Sequence, residues 1–188
     1  MDKNSHIKFP VVDAPRLRLD EITDKDVKAI HKLFTLPEVL EYHDLECLTD
    51  REQAADIVHE FRARFDERTG IRWAIRLKKD SRLIGTVGFK SWDREMRSTE
   101  LGYDLLPEYW GNGYATEAIN AILKSTIFNE LPWGALHRIQ AETIPGNSRS
   151  ESVLRKLGFK EEGLRRDAGY WKGRYHDLRC FGLLIKNA

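Results

Sequence analysis

The sequence predicts a single α/β (α+β) domain in which a mixed, mostly antiparallel sheet of about seven strands is flanked by about four helices. Strand and helix patterns follow one another in the order β-α-α-β-β-β-α-β-α-β-β. Three of these strands are joined by short links, which indicates an antiparallel meander. The 188 residues fit one domain over 1–188. A chain of this length buries about 70% of its extended surface, so it needs no disulfide or metal for stability.

The first half of the chain is predicted to hold two helices before the meander. Residues 1–15 show no periodicity and are predicted to be an irregular lead-in. A Thr49–Glu52 capping box marks the start of the second helix, while Pro37 ends the first helix or begins the loop after it. The predicted elements are a strand over 16–19, a helix over 23–34, a helix from 49 to Gly70, and strands over 73–77 and 83–89.

The stretch from Ser98 to Asn129 combines an alternating strand, a glycine-containing turn and a long amphipathic helix. In the strand, Glu100 points to the face opposite Leu101. The turn over Trp110–Ala115 places two glycines where the helix begins. Glycine allows conformations that other residues resist, and a helix N-terminus presents unpaired N–H groups at the positive end of the helix dipole. This combination is suited to binding phosphate.

Two common phosphate-binding motifs do not fit this turn. A dinucleotide fold requires G-x-G-x-x-G in its first strand–helix unit, but Gly111-x-Gly113 is followed by Thr116 and lies in the middle of the chain. A P-loop requires Gly-Lys-Ser/Thr, which does not follow here. The residues alone leave two readings open: a helix start whose glycines serve tight packing, or a pyrophosphate cradle in another fold.

The last third of the chain returns to the sheet after a break at Leu131-Pro132-Trp133-Gly134. A Ser148–Glu151 capping box opens a short helix that Gly158 ends. The remaining predicted elements are strands over 138–143, 159–165 and 175–185, with a polar loop over 166–174 between the last two.

The composition argues against several classes of partner. The net charge is +1, from 31 basic and 30 acidic residues, so a basic surface for nucleic acid or membrane is not expected. No segment has the length of a signal peptide core or of the ~20 apolar residues that span a membrane. The two cysteines, Cys47 and Cys180, and six scattered histidines lack zinc-site spacing. We therefore expect a cytoplasmic, reduced protein without a metal.

Two motifs resemble the GCN5-related N-acetyltransferase (GNAT) superfamily. The turn Trp110–Ala115 resembles its acetyl-CoA pyrophosphate loop, Gln/Arg-x-x-Gly-x-Gly/Ala. Asn147-x-x-Ser150, followed by Lys156-Leu157-Gly158-Phe159, resembles the signature of its last helix and following strand. The motifs occur in the family's order, with a helix and a strand between them. With Glu100-Leu101-Gly102-Tyr103, they resemble the ribosomal-protein N-terminal (Rim-type) acetyltransferase branch.

This resemblance implies a GNAT-like fold and an acetyl-CoA-dependent N-acetyltransferase, with no metal. The enzyme would move acetyl to a primary amine by direct attack in a ternary complex. The acceptor is a protein N-terminus, for example of a ribosomal protein, or a small molecule such as a polyamine, an antibiotic or an amino acid. A different class remains open: a non-catalytic acyl-CoA-binding sensor on the same scaffold. Relatives are often dimers, so a homodimer is among the expected states.

The resemblance also implies the site residues. Glu100 would be the base that deprotonates the amine, directly or through a water, and Ser150 would be the acid that protonates the leaving thiolate. Residue-level alternatives are a solvated strand carboxylate for Glu100 and a helix cap for Ser150. The thioester oxygen would meet a main-chain N–H near Leu105 and Leu106. The expected CoA-binding residues are Leu105, Leu106, Trp110, Gly111, Asn112, Gly113, Tyr114, Ala115 and Asn147.

Three further positions qualify this assignment. Trp110 stands where the family motif has Gln or Arg, and Leu154 stands where many members carry a tyrosine used as general acid. The acid must then come from elsewhere, which fits a branch that uses the serine of N-x-x-S. Asn147 is alternatively a turn residue after Pro145-Gly146.

Several aromatic residues are candidates for either an acceptor pocket or the core: Trp92, Tyr103, Trp110 and Trp171.

Overall fold

The computed structural model describes residues 7–127, 131 and 134–185. The predicted end of the central stretch at Asn129, and Pro132 and Trp133 of the predicted break, lie outside these residues. The strands are β1 (Val12–Asp13), β2 (Leu17–Glu21), β3 (Ile71–Leu77), β4 (Leu83–Asp93), β5 (Ser98–Leu105), β6 (Arg138–Thr143), β7 (Lys160–Trp171) and β8 (Arg174–Leu184). The α-helices are α1 (Val27–Thr35), α2 (Pro37–Leu40), α3 (Arg51–Asp66), α4 (Tyr114–Ile127) and α5 (Ser148–Lys156).

The strands form one mixed sheet in the order β1-β2-β3-β4-β5-β6-β8-β7. The predicted meander is confirmed, since β3, β4 and β5 pair antiparallel in sequence order. Within the described sheet, neighbouring strands are antiparallel except β5 and β6, which are parallel. The predicted fold class, a mixed and mostly antiparallel sheet with flanking helices, is therefore confirmed.

Helices cover both faces of this sheet. The face under α4 and α5 carries the larger apolar core, in which Trp73, Ile119 and Phe181 are fully buried. The opposite face packs against α1 and α3 through a second apolar cluster that contains Ile30 and Val58. Burying one such side chain contributes about 1.5–3 kcal/mol. Packing on both faces therefore fixes the central strands, which carry the candidate site.

Two short elements raise the element count above the prediction. Within the lead-in expected over 1–15, Val12–Asp13 forms β1 and pairs with Arg18–Leu19 of β2. The sheet thus has eight strands rather than about seven, and two residues are too few to show an alternating pattern. The residues after the first helix form α2, with Pro37 at its first position, where its missing N–H costs no hydrogen bond.

The prediction of a polar loop over 166–174 is wrong. β7 continues to Trp171 and β8 begins at Arg174, so a tight turn joins them. Gly163 and Asp167 have φ angles of 140° and 49°, and the β7–β8 register shifts beside both. As the edge strand, β7 is exposed along most of its length. It therefore lacks the hydrophobic alternation that identifies a strand covered on one face.

The caps of α3 and α5 lie one residue away from the predicted positions. Asp50, rather than Thr49, caps α3, because its carboxylate accepts an N–H of the first turn at 3.0 Å. Asn147, rather than Ser148, caps α5, because its Oδ1 accepts the Ser150 N–H at 3.2 Å. The hydroxyl of Ser150 is thus not used as the cap of its own helix.

Candidate active site

The glycine turn before α4 has the geometry of an anion site. Gly111 and Gly113 have φ angles of +73° and +78°, in the left-handed region that favours glycine. Within the described part of the chain, the N–H groups of residues 111–116 have no hydrogen-bond acceptor, and a Cβ on Gly111 would meet no atom within 4 Å. These amides lie at the positive end of the α4 dipole. The turn therefore fits a phosphate group.

Arg16, the residue immediately before β2, supports this turn. Its backbone N–H and its Nε donate to Glu117 in the first turn of α4, at 2.7 Å and 2.6 Å. Its Nη1 donates to the carbonyl of Asn112 at 3.1 Å, and its guanidinium lies 4.3 Å from the ring centre of Tyr114. The sequence pattern around Arg16 predicts only a strand. The signal available in the sequence was Glu117, a carboxylate in the first turn of α4 that can pair with a cation.

Trp110 links the turn to the end of β5. Its indole Nε1 donates to the Leu105 carbonyl at 2.8 Å, and its amide donates to Pro107 O at 3.0 Å. The guanidinium of Arg149, in the first turn of α5, lies 4.9 Å from the indole centre. Both N–H groups of Trp110 are thus bonded within the chain. The structure brings the two sequence motifs together at this residue.

β5 and β6 separate beyond Glu100. Their parallel pairing covers only 98–100 of β5 and 138–140 of β6, although β5 stays paired with β4, and β6 with β8, to their ends. The Leu106 N–H donates to the Ile84 carbonyl of β4 at 2.9 Å, so this amide is already bonded within the sheet. Alternate residues of an antiparallel strand bond to opposite sides. The Leu105 N–H therefore faces the opening between β5 and β6.

Glu100 lies where the two strands part. Its side chain is 17% exposed, and Lys90, its partner on β4, places Nζ 2.8 Å from Oε1. The predicted base is therefore half-buried and ion-paired rather than fully solvated. It remains close to solvent because Lys90 is 47% exposed.

A second carboxylate, Asp104, lies on the same face of β5. Arg72 of β3 donates to its Oδ2 and donates to Thr86 Oγ1 at 3.0 Å. The Arg72 guanidinium crosses Gly102, where a Cβ would lie only 2.9 Å from Nη1. The glycine between the two carboxylates thus makes room for this arginine. Asp104, which is 7% exposed at its side chain, is held as part of a buried ion pair.

His43 lies beside this face. Its Nε2 lies 3.7 Å from Asp104 Oδ1. Lys172, in the β7–β8 turn, donates to the Leu40 and His43 carbonyls at 2.7 Å and 2.9 Å. The hairpin tip and the segment after α2 therefore form one wall beside Asp104.

The predicted acid, Ser150, contacts β5 through a residue whose role the sequence left open. Ser150 Oγ lies 2.7 Å from the hydroxyl of Tyr103. Burial raises the pKa of Tyr103 to about 12, although the hydrogen bond to Ser150 opposes this rise. Leu154, where many family members have tyrosine, is 1% exposed in the core. Ser150 and Tyr103 are thus the hydroxyl groups that the structure brings together here.

The structure describes no group of three or more His, Cys, Asp or Glu side chains that could hold a metal ion within residues 7–127, 131 and 134–185. None of the helices in that part of the chain is long and apolar enough to cross a membrane.

The chain is similar to known acetyltransferases. The model of the acetyltransferase (GNAT) domain matches residues 16–160. The uncharacterized N-acetyltransferase YoaA of Bacillus subtilis (strain 168) is 37% identical over 176 residues, which cover 94% of this chain and 97% of YoaA. The putative ribosomal N-acetyltransferase YdaF of the same organism is 32% identical over 128 residues, 68% of this chain and 67% of YdaF. The structure of RimL, a ribosomal L7/L12 alpha-N-protein acetyltransferase, in complex with coenzyme A has a TM-score of 0.86 at 19% identity and covers 95% of this chain and 100% of that one.

Proposed function

Because the chain belongs to the acetyltransferase (GNAT) family, and is therefore an acetyl-CoA-dependent N-acetyltransferase, we propose that it acetylates the N-terminal amine of a protein. One observation supports a protein N-terminus as the acceptor: both carboxylates on this face of β5 are ion-paired, Glu100 with Lys90 and Asp104 with Arg72. A polyamine carries several positive charges and would favour an acidic pocket. Because Lys90 and Arg72 neutralise these two carboxylates, the face suits an acceptor with a single amine better than a polyamine. The name of the relative YdaF, a putative ribosomal N-acetyltransferase, supports the same choice.

The residues of the glycine turn would hold acetyl-CoA. The unpaired N–H groups over 111–115 would donate to the pyrophosphate, while Arg16 keeps the turn in place through Glu117. Trp110 would support the turn rather than donate to phosphate, because both of its N–H groups are already bonded. The Leu105 N–H would face the thioester carbonyl, and the Nδ2 of Asn147 would be left for a cofactor contact because only its Oδ1 serves as cap.

The remaining residues would move the protons. Glu100 would accept one proton from the acceptor ammonium, directly or through a water, which frees the nitrogen lone pair. The nitrogen would then bond to the acetyl carbon as the C–S bond breaks. Ser150 would donate its hydroxyl proton to the departing sulfur, and the second proton lost by the nitrogen would restore the serine. Glu100 would then release its proton to solvent, so the products are an acetamide, CoA and one proton, with no net change in either residue.

The test is a panel of acceptors, with the free thiol of CoA followed over time. The acceptors are a peptide with a free N-terminus and no lysine, the same peptide with its N-terminus blocked, spermidine and a free amino acid. We expect CoA release with the free peptide alone, and a mass increase of one acetyl group on its first residue. Release with spermidine or the amino acid alone would replace the protein acceptor with a small molecule. Binding of acetyl-CoA without any acetylation would favour the non-catalytic sensor.

A cytoplasmic location is also part of this proposal. Cys47 is exposed and Cys180 is half-buried, and both are free thiols. Free cysteines are typical of reducing compartments. Fractionation of cells that express the tagged chain tests the location; recovery in an oxidising compartment would contradict it.

A further inference from the structure

The hydroxyl groups of Tyr103 and Ser150 connect two elements that flank the opening between β5 and β6. Their oxygens are 2.7 Å apart, the length of a good O–H···O hydrogen bond. Tyr103 lies on β5 beyond the last residue paired with β6, and Ser150 lies in the first turn of α5. The two residues are 47 positions apart in the chain. Their contact therefore depends on how α5 packs beside β5.

The available partners indicate which hydroxyl donates. If Ser150 donated to Tyr103, the tyrosine proton would need another acceptor, and the described residues offer only the Ser150 carbonyl, at 3.5 Å. If Tyr103 donates to Ser150 Oγ, its proton is satisfied at 2.7 Å. Because a buried donor without a partner is destabilising, the second arrangement is favoured. The proton of Ser150 is then left without an acceptor in the described part of the chain.

Ser150 also lacks the usual intrahelical acceptor. Within a helix, a serine or threonine hydroxyl commonly bonds to the carbonyl four residues earlier, as Thr126 does with Ile122 at 2.8 Å in α4. For Ser150 that carbonyl would belong to Gly146, which precedes α5 and accepts the Ser148 N–H at 2.8 Å. The position of Ser150 in the first turn thus keeps its proton free of the backbone.

We propose that Tyr103 is a positioning residue that donates to Ser150 Oγ and so directs the Ser150 proton toward the sulfur of bound CoA. This inference rests on the proposed function, which seats the sulfur beside Ser150. A donor at that point stabilises the thiolate that leaves when the C–S bond breaks. Tyr103 stays protonated throughout, since burial keeps its pKa at about 12. It therefore acts through the orientation of Ser150 and does not supply the proton itself.

The experiment measures the dissociation constants of the protein for CoA and for desulfo-CoA, which lacks the sulfur, at pH 6.5 and 9.5. The ratio of the two constants gives the preference for CoA at each pH. A free thiol has a pKa of about 8.5, so the sulfur is mostly ionised at the higher pH. We expect the wild type to prefer CoA over desulfo-CoA by about tenfold more at pH 9.5 than at pH 6.5, and Tyr103→Phe to lose most of this gain. Ser150→Ala should lose the same part of this pH-dependent gain. The double variant Tyr103→Phe/Ser150→Ala should lose no more than either single variant, because the two hydroxyls act as a unit.

The control is Tyr170→Phe, which removes the same hydroxyl from a ring that is 63% exposed on β7; it should keep the full pH-dependent preference. In turnover, Tyr103→Phe should lower kcat about tenfold and leave KM for acetyl-CoA within a factor of about two. A preserved preference in Tyr103→Phe, or losses that multiply in the double variant, would overturn the inference. If CoA does not bind at all, both proposals fail. If the preference is present but no amine is acetylated, only the proposed function fails.

Discussion

Lys90 and Glu100 form a cross-strand ion pair at the point where β5 leaves β6, with 2.8 Å between Nζ and Oε1. Glu100 occupies the last position at which the two parallel strands are still paired. The carboxylate therefore lies beside the opening and is held by a partner that is itself half-exposed. Because an exposed lysine can move away at little cost, this pair holds Glu100 in place without blocking it.

The first prediction concerns Glu100 as the base. Glu100→Gln keeps the size of the side chain but cannot accept the amine proton, so we expect kcat/KM to fall about 10²-fold or more. Stability should change by less than about 1 kcal/mol, because the partner Lys90 is half-exposed. Glu162→Gln is the control, since Glu162 is also an ion-paired strand glutamate but lies on β7. Equal rates for the wild type and Glu100→Gln would remove Glu100 from the mechanism.

The second prediction concerns the glycine turn. Gly113→Val adds a side chain where φ is +78°, so we expect a stability loss of about 1–2 kcal/mol and loss of CoA binding. Gly158→Val carries a similar backbone cost at φ +87° but lies at the far end of α5, so CoA binding should persist. Calorimetric titration with CoA and thermal unfolding separate the two effects. Tight CoA binding by Gly113→Val would show that the turn does not hold the pyrophosphate.

The third prediction concerns Arg16. Arg16→Ala removes the side-chain donors to Glu117 and to Asn112 O and leaves only the backbone N–H bond to Glu117, which loosens the turn. We expect KM for acetyl-CoA to rise about tenfold, with kcat changed by less than about twofold, because the chemistry lies elsewhere. Arg18→Ala, two residues further along and within β2, provides the control, since Arg18 pairs with the carboxylates of Asp13 and Asp20 instead. An unchanged KM in Arg16→Ala would contradict a supporting role.

The fourth prediction concerns stability against acid. Asp26 is 7% exposed and accepts from both terminal nitrogens of Arg76 at 2.9 Å. Burial raises its pKa, but the hydrogen bonds from Arg76 and from Thr23 outweigh burial, so the pKa of Asp26 lies below its ordinary value. A carboxylate with a lowered folded-state pKa adds stability above its unfolded-state pKa of about 3.9, and this stability is lost as pH falls through the folded-state pKa.

Asp26→Asn should therefore cost about 3 kcal/mol at pH 7, and the gap to the wild type should narrow as pH falls below about 4. Urea unfolding at a series of pH values measures both quantities. Asp24→Asn, whose side chain is 80% exposed, should stay within about 0.5 kcal/mol of the wild type at every pH. A gap for Asp26→Asn that is constant down to pH 3 would mean that its ionisation does not support the fold.

Local sequence signals predicted most of the sheet and the position of the turn. The meander and the helix after Gly113 follow from periodicity and from glycine at a helix start, both of which operate within a few residues. β1 is too short for such a pattern, and β7 is an edge strand exposed along most of its length, so neither shows one. The family resemblance then singled out Glu100 and Ser150, whose roles stay predictions.

The sequence by itself determined the fold class, the glycine turn and the two motifs, because these depend on residue types at short spacing. Only the tertiary structure decided the partners: Arg16 for Glu117, Arg72 for Asp104 and Tyr103 for Ser150. The tertiary structure also showed that the Leu106 amide is bonded to β4, whereas the Leu105 amide faces the opening between β5 and β6. Such contacts join residues 32 to 101 positions apart, so they depend on strand register and helix packing, which no local pattern encodes.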